Sequence, residues 1–330
     1  MVGYLNGGVN GGVNGGVNGG VNGGVNGGVN GGVNGGVSTS PYAIGGAPLH
    51  IPIVDSLSNV DDKPFAMITD VEFPEAAWAA SLKAQLIVNK FCKTDWDDPA
   101  TGIQGTAPDN SAAAIEAEIQ KLIHERNYLR GQRVGEILAQ VDGSELYWSN
   151  LLMAGANNRP RTAELIACGM MIGTVVAMHF KHKWKRARPS QVFPAIMPAI
   201  PTPRHPSYPS GHATQSFLVM QLLAAVLPGE KDNVMFPYIR SMADRIAHNR
   251  EVAGVHFGSD SDEGERLAQE VYERYLTQLA PLQDLITAAK AEWVDVASTL
   301  PLKDSGELDG PPNVSKQIAR DLANDLAKDA

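Results

Sequence analysis

Apolar residues recur every three to four positions through most of the chain beyond residue 74, the period of helices with one buried face. Trp78, Leu82, Leu86 and Phe91 form one such stripe, with Pro74 suited to a first helical turn. Residues 96–110 are polar and turn-rich. Asn110 or Ser111 then caps a long helix carrying Ile115, Ile119, Leu122 and Ile123, continuing through Leu129 to Leu138. Asp142-Gly143-Ser144 breaks it, and a short helix spans Leu146–Met153. Pro160 or Arg161 opens the next, through Ile166, Met170, Val175 and Met178 to about Lys183. The proline-rich run 189–206 predicts an ordered or semi-ordered non-helical excursion. Helices follow from Ser210 to Val226, stopped by Pro228-Gly229, from Val234 to about Val252, from Asp260 to about Leu279, and from Pro281 to about Leu300. Residues 301–312 read as a loop, and a last exposed helix can follow Ser315. No stretch reads as a convincing strand. The pattern predicts an all-α fold, a single bundle of seven or eight helices.

The first forty residues break this pattern. Positions 6–37 are eight copies of Asn-Gly-Gly-Val, half glycine and with one apolar side chain in four. Such a segment loses more backbone entropy on ordering than it regains by burial, so 1–40 is expected to be a disordered tail and 41–330 the helical domain. The chain has 27 basic and 36 acidic residues, a formal charge of −9, which argues against nucleic acid as the partner of the whole surface and makes a local basic cluster informative. Cys92 and Cys168 sit in helix-like segments and predict buried free thiols. No signal peptide is visible at the N-terminus. The longest apolar run, Leu165 to Phe180, falls short of the roughly 18 residues of a membrane span. The expectation is a soluble chain, cytoplasmic or exported by an unrecognised route, with no membrane span.

Three clusters carry the chemistry. Ser210-Gly211-His212 follows Tyr208-Pro209, with Ser210 a natural N-cap for an apolar helix. First-turn amides and the helix dipole attract an anion there, Gly211 allows close approach, and His212 can reach a bound oxygen. Upstream, Lys181 lies two helical turns before Arg188-Pro189. The proline should release Arg188 from the helix, so that a point charge and a planar fork can both serve an oxyanion. Downstream, Arg250 precedes His256, with Asp260 four residues further on. That carboxylate can accept one ring N–H of His256, leaving the other nitrogen as a nucleophile or ligand. Each cluster alone also has a purely structural explanation: a capped helix, a solvated basic helix end, a structural His–Asp pair.

Together, Lys181-x6-Arg188-Pro189, Pro209-Ser210-Gly211-His212 and Arg250-x5-His256-x3-Asp260 resemble the three-part motif of the type 2 phosphatidic acid phosphatase (PAP2) and vanadium haloperoxidase superfamily. Asn249 stands where that family usually has serine. The motif region, 181–260, covers about a quarter of the chain, and the helical reading agrees with the family's α-bundle. The resemblance implies that Lys181, Arg188 and Arg250 neutralise the oxygens of phosphate or vanadate, with Ser210 and the Gly211 N–H donating further hydrogen bonds. It implies that His256 attacks phosphorus, or ligates vanadium axially, that Asp260 orients it, and that His212 is the general acid and base. No divalent metal is implied.

Two reactions share such a pocket. One is phosphate monoester hydrolysis through a phosphohistidine, without a cofactor, on a small phosphorylated substrate. The alternative is halide oxidation by peroxide on bound vanadate. His205 resembles the extra active-site histidine of algal bromoperoxidases, whereas the chain is short for a haloperoxidase. A soluble phosphatase is the expectation, with a non-enzymatic anion-binding protein as a third class. Oligomeric state is not legible from the sequence.

Overall fold

The computed structural model describes residues 71–294, apart from 142, 156 and 157. The chain divides into Met1–Ala77, of which only the last few residues are described, and Trp78–Ala330. The repeat tail, its expected boundary at residue 40 and the stretch beyond residue 294 lie outside the described residues. A 3₁₀ turn at Glu75–Ala77 precedes the helices α1 (Ala80–Phe91), α2 (Ala112–Tyr128), α3 (Arg130–Ala139), α4 (Glu145–Leu152) and α5 (Pro160–Trp184). These continue as α6 (Pro189–Val192), α7 (Gly211–Val226), α8 (Phe236–Val252), α9 (Gly258–Arg274) and α10 (Ala280–Ala291). No strand occurs among the described residues. The all-α reading holds.

Helix α7 is the axis of the bundle. From Ala213 to Val226 every residue except Gln215 is buried, as expected of a helix apolar on nearly all sides. Helices α5, α8, α9 and α10 pack around it, and α5 in turn packs against α1 and α10. Full burial of each leucine, such as Leu218 or Leu222, stabilises the fold by about 1.5–3 kcal/mol. Two glycines bring the helices close enough to set the site. A Cβ on Gly173 would stand 2.8 Å from Gln215 Cα, so α5 and α7 cross nearly backbone to backbone. A Cβ on Gly264 would stand 2.8 Å from Ala213 Cβ and 3.0 Å from the Ser210 carbonyl, which seats α9 against the first turn of α7.

Several expected boundaries move, each for a physical reason. The first helix begins at Ala80, and its buried face is Ala84, Ile87, Val88 and Phe91, while Trp78, Leu82 and Leu86 are exposed. Both stripes satisfy helical spacing, and Phe91 lies on the inward one. The long helix expected over 111–138 breaks at Leu129, where φ shifts to −112° while ψ stays near the helical value at −31°. Beyond the break, Arg130 donates to the carbonyls of Val252 and Met197, and α3 turns onto α8. The proline-rich excursion is ordered and contains two short helical turns, Pro189–Val192 and Pro194–Ile196, because proline at a first-turn position starts a turn it cannot extend far. Its Ile196 and Ile200 insert into two small apolar clusters with Phe257 and Val255. Helix α9 ends at Arg274, with a 3₁₀ turn beyond it. Cys168 is buried, but Cys92 is exposed at the end of α1, contrary to the expected burial of both thiols.

Candidate active site

The first turn of α7 forms one wall. Ser210 is the N-cap in extended conformation (φ −69°, ψ 119°), and its Oγ accepts the Ala213 N–H at 3.3 Å. Its own N–H donates to the Asp260 carbonyl at 2.8 Å, fastening this turn to the start of α9. The Gly211 and His212 N–H groups sit where a helix supplies no partner of its own. A Cβ on Gly211 would meet only Lys181 Cε, at 4.0 Å, so the space beside that backbone is open.

Three cations come from three segments. Lys181, in the last turn of α5, is buried and donates its Nζ protons to the carbonyls of Pro206, Ser207 and Pro209 at 2.8, 2.7 and 2.5 Å. Burial first, and then neighbouring Arg188, push its pKa well below the usual lysine value. Arg188 lies beyond the end of α5 in extended conformation, as its proline demands. Its Nε and Nη1 donate to the carbonyls of His205 and Val255 at 3.0 and 2.6 Å. Its Nη1 also reaches His256 Nε2, and its Nη2 reaches His205 Nδ1, both at 3.0 Å. Arg250, from the last turn of α8, donates Nη2 to the Ile137 carbonyl at 2.9 Å and to Gln140 Oε1 at 3.2 Å. Its Nε and Nη1 are buried without a partner. Burial pulls both arginines down to about 10. A desolvated guanidinium with two unused donors is costly unless something negative meets it.

The imidazoles are ordered by what they touch. Asp260, in the first turn of α9, accepts the His256 Nδ1–H at 2.9 Å on Oδ2, so the lone pair of His256 is on Nε2, facing Arg188. The same Oδ2 accepts the Ser207 hydroxyl at 2.5 Å and the Phe257 N–H at 3.0 Å. His212 gives its Nε2–H to the Gln140 carbonyl at 2.8 Å, which leaves the lone pair on Nδ1. Its pKa falls to about 4 through burial, then through Arg250, Lys181 and Arg188. His205 also falls to about 4, by burial with Lys181 and Arg188 beside it. His256 lies well below the normal imidazole value, by burial and then by Arg188 and Lys181.

Lys181, His205, Gly211, His212, Arg250 and His256 line one cavity of about 230 Å³. Its remaining walls are largely apolar, with Val141, Ala177, Met178, Ile200, Pro201 and Pro203. This volume suits a tetrahedral oxyanion and a short part of its substituent, being below the about 300–1,000 Å³ of most small-molecule pockets. The structure therefore gathers the three sequence clusters around one space. Arg188, Ser210 and Asp260 stand behind that lining.

Four further side chains support the site. Arg186 donates to Asp260 Oδ1 at 2.8 Å, Ser259 Oγ at 2.7 Å and Glu118 Oε1 at 2.9 Å, and lies over the Phe257 ring at 4.2 Å. Its spacing of two from Arg188, past the end of a helix, is the signature of one side of an extended strand and was available in the sequence. Ser207 and Gln140 carried no motif. Asn249 donates to Gln140 Oε1 at 2.9 Å and Glu136 Oε2 at 3.0 Å. Elsewhere, Glu125, His248 and Glu251 have donor atoms within 4.8 Å of one another, a spacing compatible with a metal ion. Two of the three are already partnered: Lys121 pairs with Glu251 at 2.9 Å, and Arg133 donates to His248 Nδ1 at 2.9 Å, while Glu125 Oε2 is buried without a partner. His248 then carries its proton on Nε2, which it donates to Glu125 Oε1 at 3.0 Å.

Residues 163–264, which contain all three clusters, match the family model of the PAP2 superfamily. Two similar proteins are the decaprenylphosphoryl-5-phosphoribose phosphatases of Mycobacterium tuberculosis strains CDC 1551 / Oshkosh and ATCC 25618 / H37Rv. Each is 32% identical over 116 residues, covering 34% of this chain and 60% of the relative's length. These matches lend no support to the haloperoxidase alternative. They also overturn the expectation of a soluble chain. The relatives are named for a substrate bearing a decaprenyl group, a long hydrocarbon. In addition, the segment Pro160–Val192, comprising α5, an extended link and α6, is by length and composition apolar enough to cross a membrane, with 56% of its most apolar window buried inside the protein.

Proposed function

We propose that this chain is a PAP2-type phosphatase that hydrolyses phosphate monoesters bearing an apolar organic group, by way of a phosphohistidine. The observation that carries the reading is a buried Arg250 with two unpartnered donors on the same cavity as His256, whose tautomer is set by Asp260. Arg250 and Arg188 hold the phosphoryl oxygens, with the Ser210 hydroxyl and the Gly211 N–H as further donors, while Lys181, its three protons on main-chain carbonyls, contributes positive charge beside them. As phosphorus arrives, Arg188 Nη1 passes from His256 Nε2 to a phosphoryl oxygen and frees the lone pair beside it. Nε2 then bonds to phosphorus while the ester P–O bond breaks. The leaving oxygen takes a proton from His212, which a bound dianion lets ionise by offsetting the three cations. Water next attacks phosphorus, His212 takes its proton, and the P–N bond breaks to return His256. The charge stabilisation comes from the side chains, with no cofactor required for these steps.

The substrate class follows from size and polarity. The cavity holds the phosphoryl group, and Ala177, Met178, Ile200 and Pro201 give the organic substituent an apolar exit. The relatives' named substrate is in keeping with this. The test is hydrolysis of an isoprenoid monophosphate in detergent against a chromogenic phosphate ester, with rapid-quench trapping of phosphoprotein. Expected are a higher kcat/KM for the isoprenoid ester, and an acid-labile phosphoryl adduct absent from His256→Ala. Turnover surviving in His256→Ala would sink the mechanism.

A further inference from the structure

We propose that Gln140 is a positioning residue for this pocket: it aims Arg250 and sets the tautomer of His212, with Asn249 as its support. The proposal rests on the reading of the cavity as a phosphoryl site. Gln140 is fully buried and is the C-cap of α3, outside the segment that matches the family model. Its Oε1 and the Ile137 carbonyl, one turn earlier, both accept from Arg250 Nη2, at 3.2 and 2.9 Å. A guanidinium is a rigid plane, so pinning Nη2 on two acceptors also decides where Nη1 and Nε point. Those are the two donors without a partner in the protein. The Gln140 carbonyl, meanwhile, takes the Nε2–H of His212 at 2.8 Å and leaves the Nδ1 lone pair as the atom that takes up and returns the catalytic proton.

Gln140 is itself held. Asn249 Nδ2 bridges Gln140 Oε1 and Glu136 Oε2, and Glu136 is gripped by Arg245 through two bonds of 2.8 Å. A relay of Arg245, Glu136, Asn249 and Gln140 therefore ends on Arg250. The arrangement is not optimised for stability, because Gln140 Nε2 and Asn249 Oδ1 are buried without partners. A leucine at 140 would avoid that cost. What the amide supplies instead is an acceptor at one place.

The test is calorimetric titration of inorganic phosphate into the full chain, as wild type, Gln140→Leu, Asn249→Ala and the double variant. Gln140→Leu should raise Kd about tenfold, equivalent to about 1.4 kcal/mol. Asn249→Ala should raise it about threefold, and the double variant should bind no more weakly than Gln140→Leu alone, because both act through one acceptor. If the leucine variant does not fold, Gln140→Met is judged by the same numbers. An unchanged Kd in Gln140→Leu, or a double variant showing the product of the two losses, would overturn the proposal. Wild-type protein that takes up no phosphate would overturn the pocket reading beneath it, a result distinct from binding that the variants leave untouched.

Discussion

Replacing Asp260 by asparagine separates two things the carboxylate does for His256: fixing its tautomer and supplying a negative charge. Three donors converge on Oδ2, namely His256 Nδ1, the Ser207 hydroxyl and the Phe257 N–H, while only Arg186 donates to Oδ1. An amide must turn its oxygen to one side. Facing the three donors leaves its NH₂ against a single guanidinium N–H, whereas the reverse sets it against three. The oxygen therefore stays on His256, and the tautomer survives the substitution. What disappears is the charge that stabilises the imidazole as it becomes cationic on bonding to phosphorus. Two unit charges about 4 Å apart at an effective dielectric constant of about 20 interact by about 4 kcal/mol. The expected loss in kcat is on the order of 10³-fold, with little change in phosphate inhibition. Arg186 keeps Glu118 and Ser259, so the fold should lose about 3 kcal/mol, the lower end for breaking a buried pair. The assay is steady-state hydrolysis of a chromogenic ester, with circular dichroism to verify the fold. A kcat within tenfold of wild type would refute the electrostatic part of the reasoning.

Other outcomes follow from the same geometry. Arg250→Met should weaken inhibition by inorganic phosphate by about tenfold or more, since each bond to a charged group is worth about 1.5–3 kcal/mol. It should nevertheless leave the Tm unchanged or higher, because it removes a desolvated charge with two unpartnered donors; a marked drop in Tm would contradict this. Gly264→Val should push α9 off the first turn of α7 and cost about 1–3 kcal/mol, with phosphate binding weakened alongside. Equal binding in that variant would show that the two helices need not touch there. His205 and His212 stay neutral in the fold down to about pH 4, whereas an unfolded imidazole titrates near 6.5. Below about 6.5 the unfolded chain takes up protons that the folded chain does not, so stability should fall as pH drops towards 4. Thermal midpoints across that range check it, and His212→Asn should make the decline shallower.

What was legible in the sequence was whatever a local rule expresses. The Ser210 cap, the apolar run of α7 and the release of Arg188 by Pro189 each follow from neighbours in the chain, and the structure has all three. The bundle itself was legible for the same reason, since helical periodicity is local. Rules of this kind could not choose between two apolar stripes on α1, because Leu82 and Leu86 satisfy the period as well as Ile87 and Val88 do. That choice belongs to the neighbouring helix. Nor could they find Gln140, whose contribution is an amide oxygen and a main-chain carbonyl, groups that any residue sequence offers in abundance. Its position matters only because α3 breaks from α2 at Leu129 and turns its last carbonyls towards Arg250 and His212. Motif residues specify the chemistry of such a pocket, whereas its aim depends on a helix end that no motif records. Substitutions at that helix end should therefore alter phosphate affinity in ways that inspection of the three clusters alone would not anticipate.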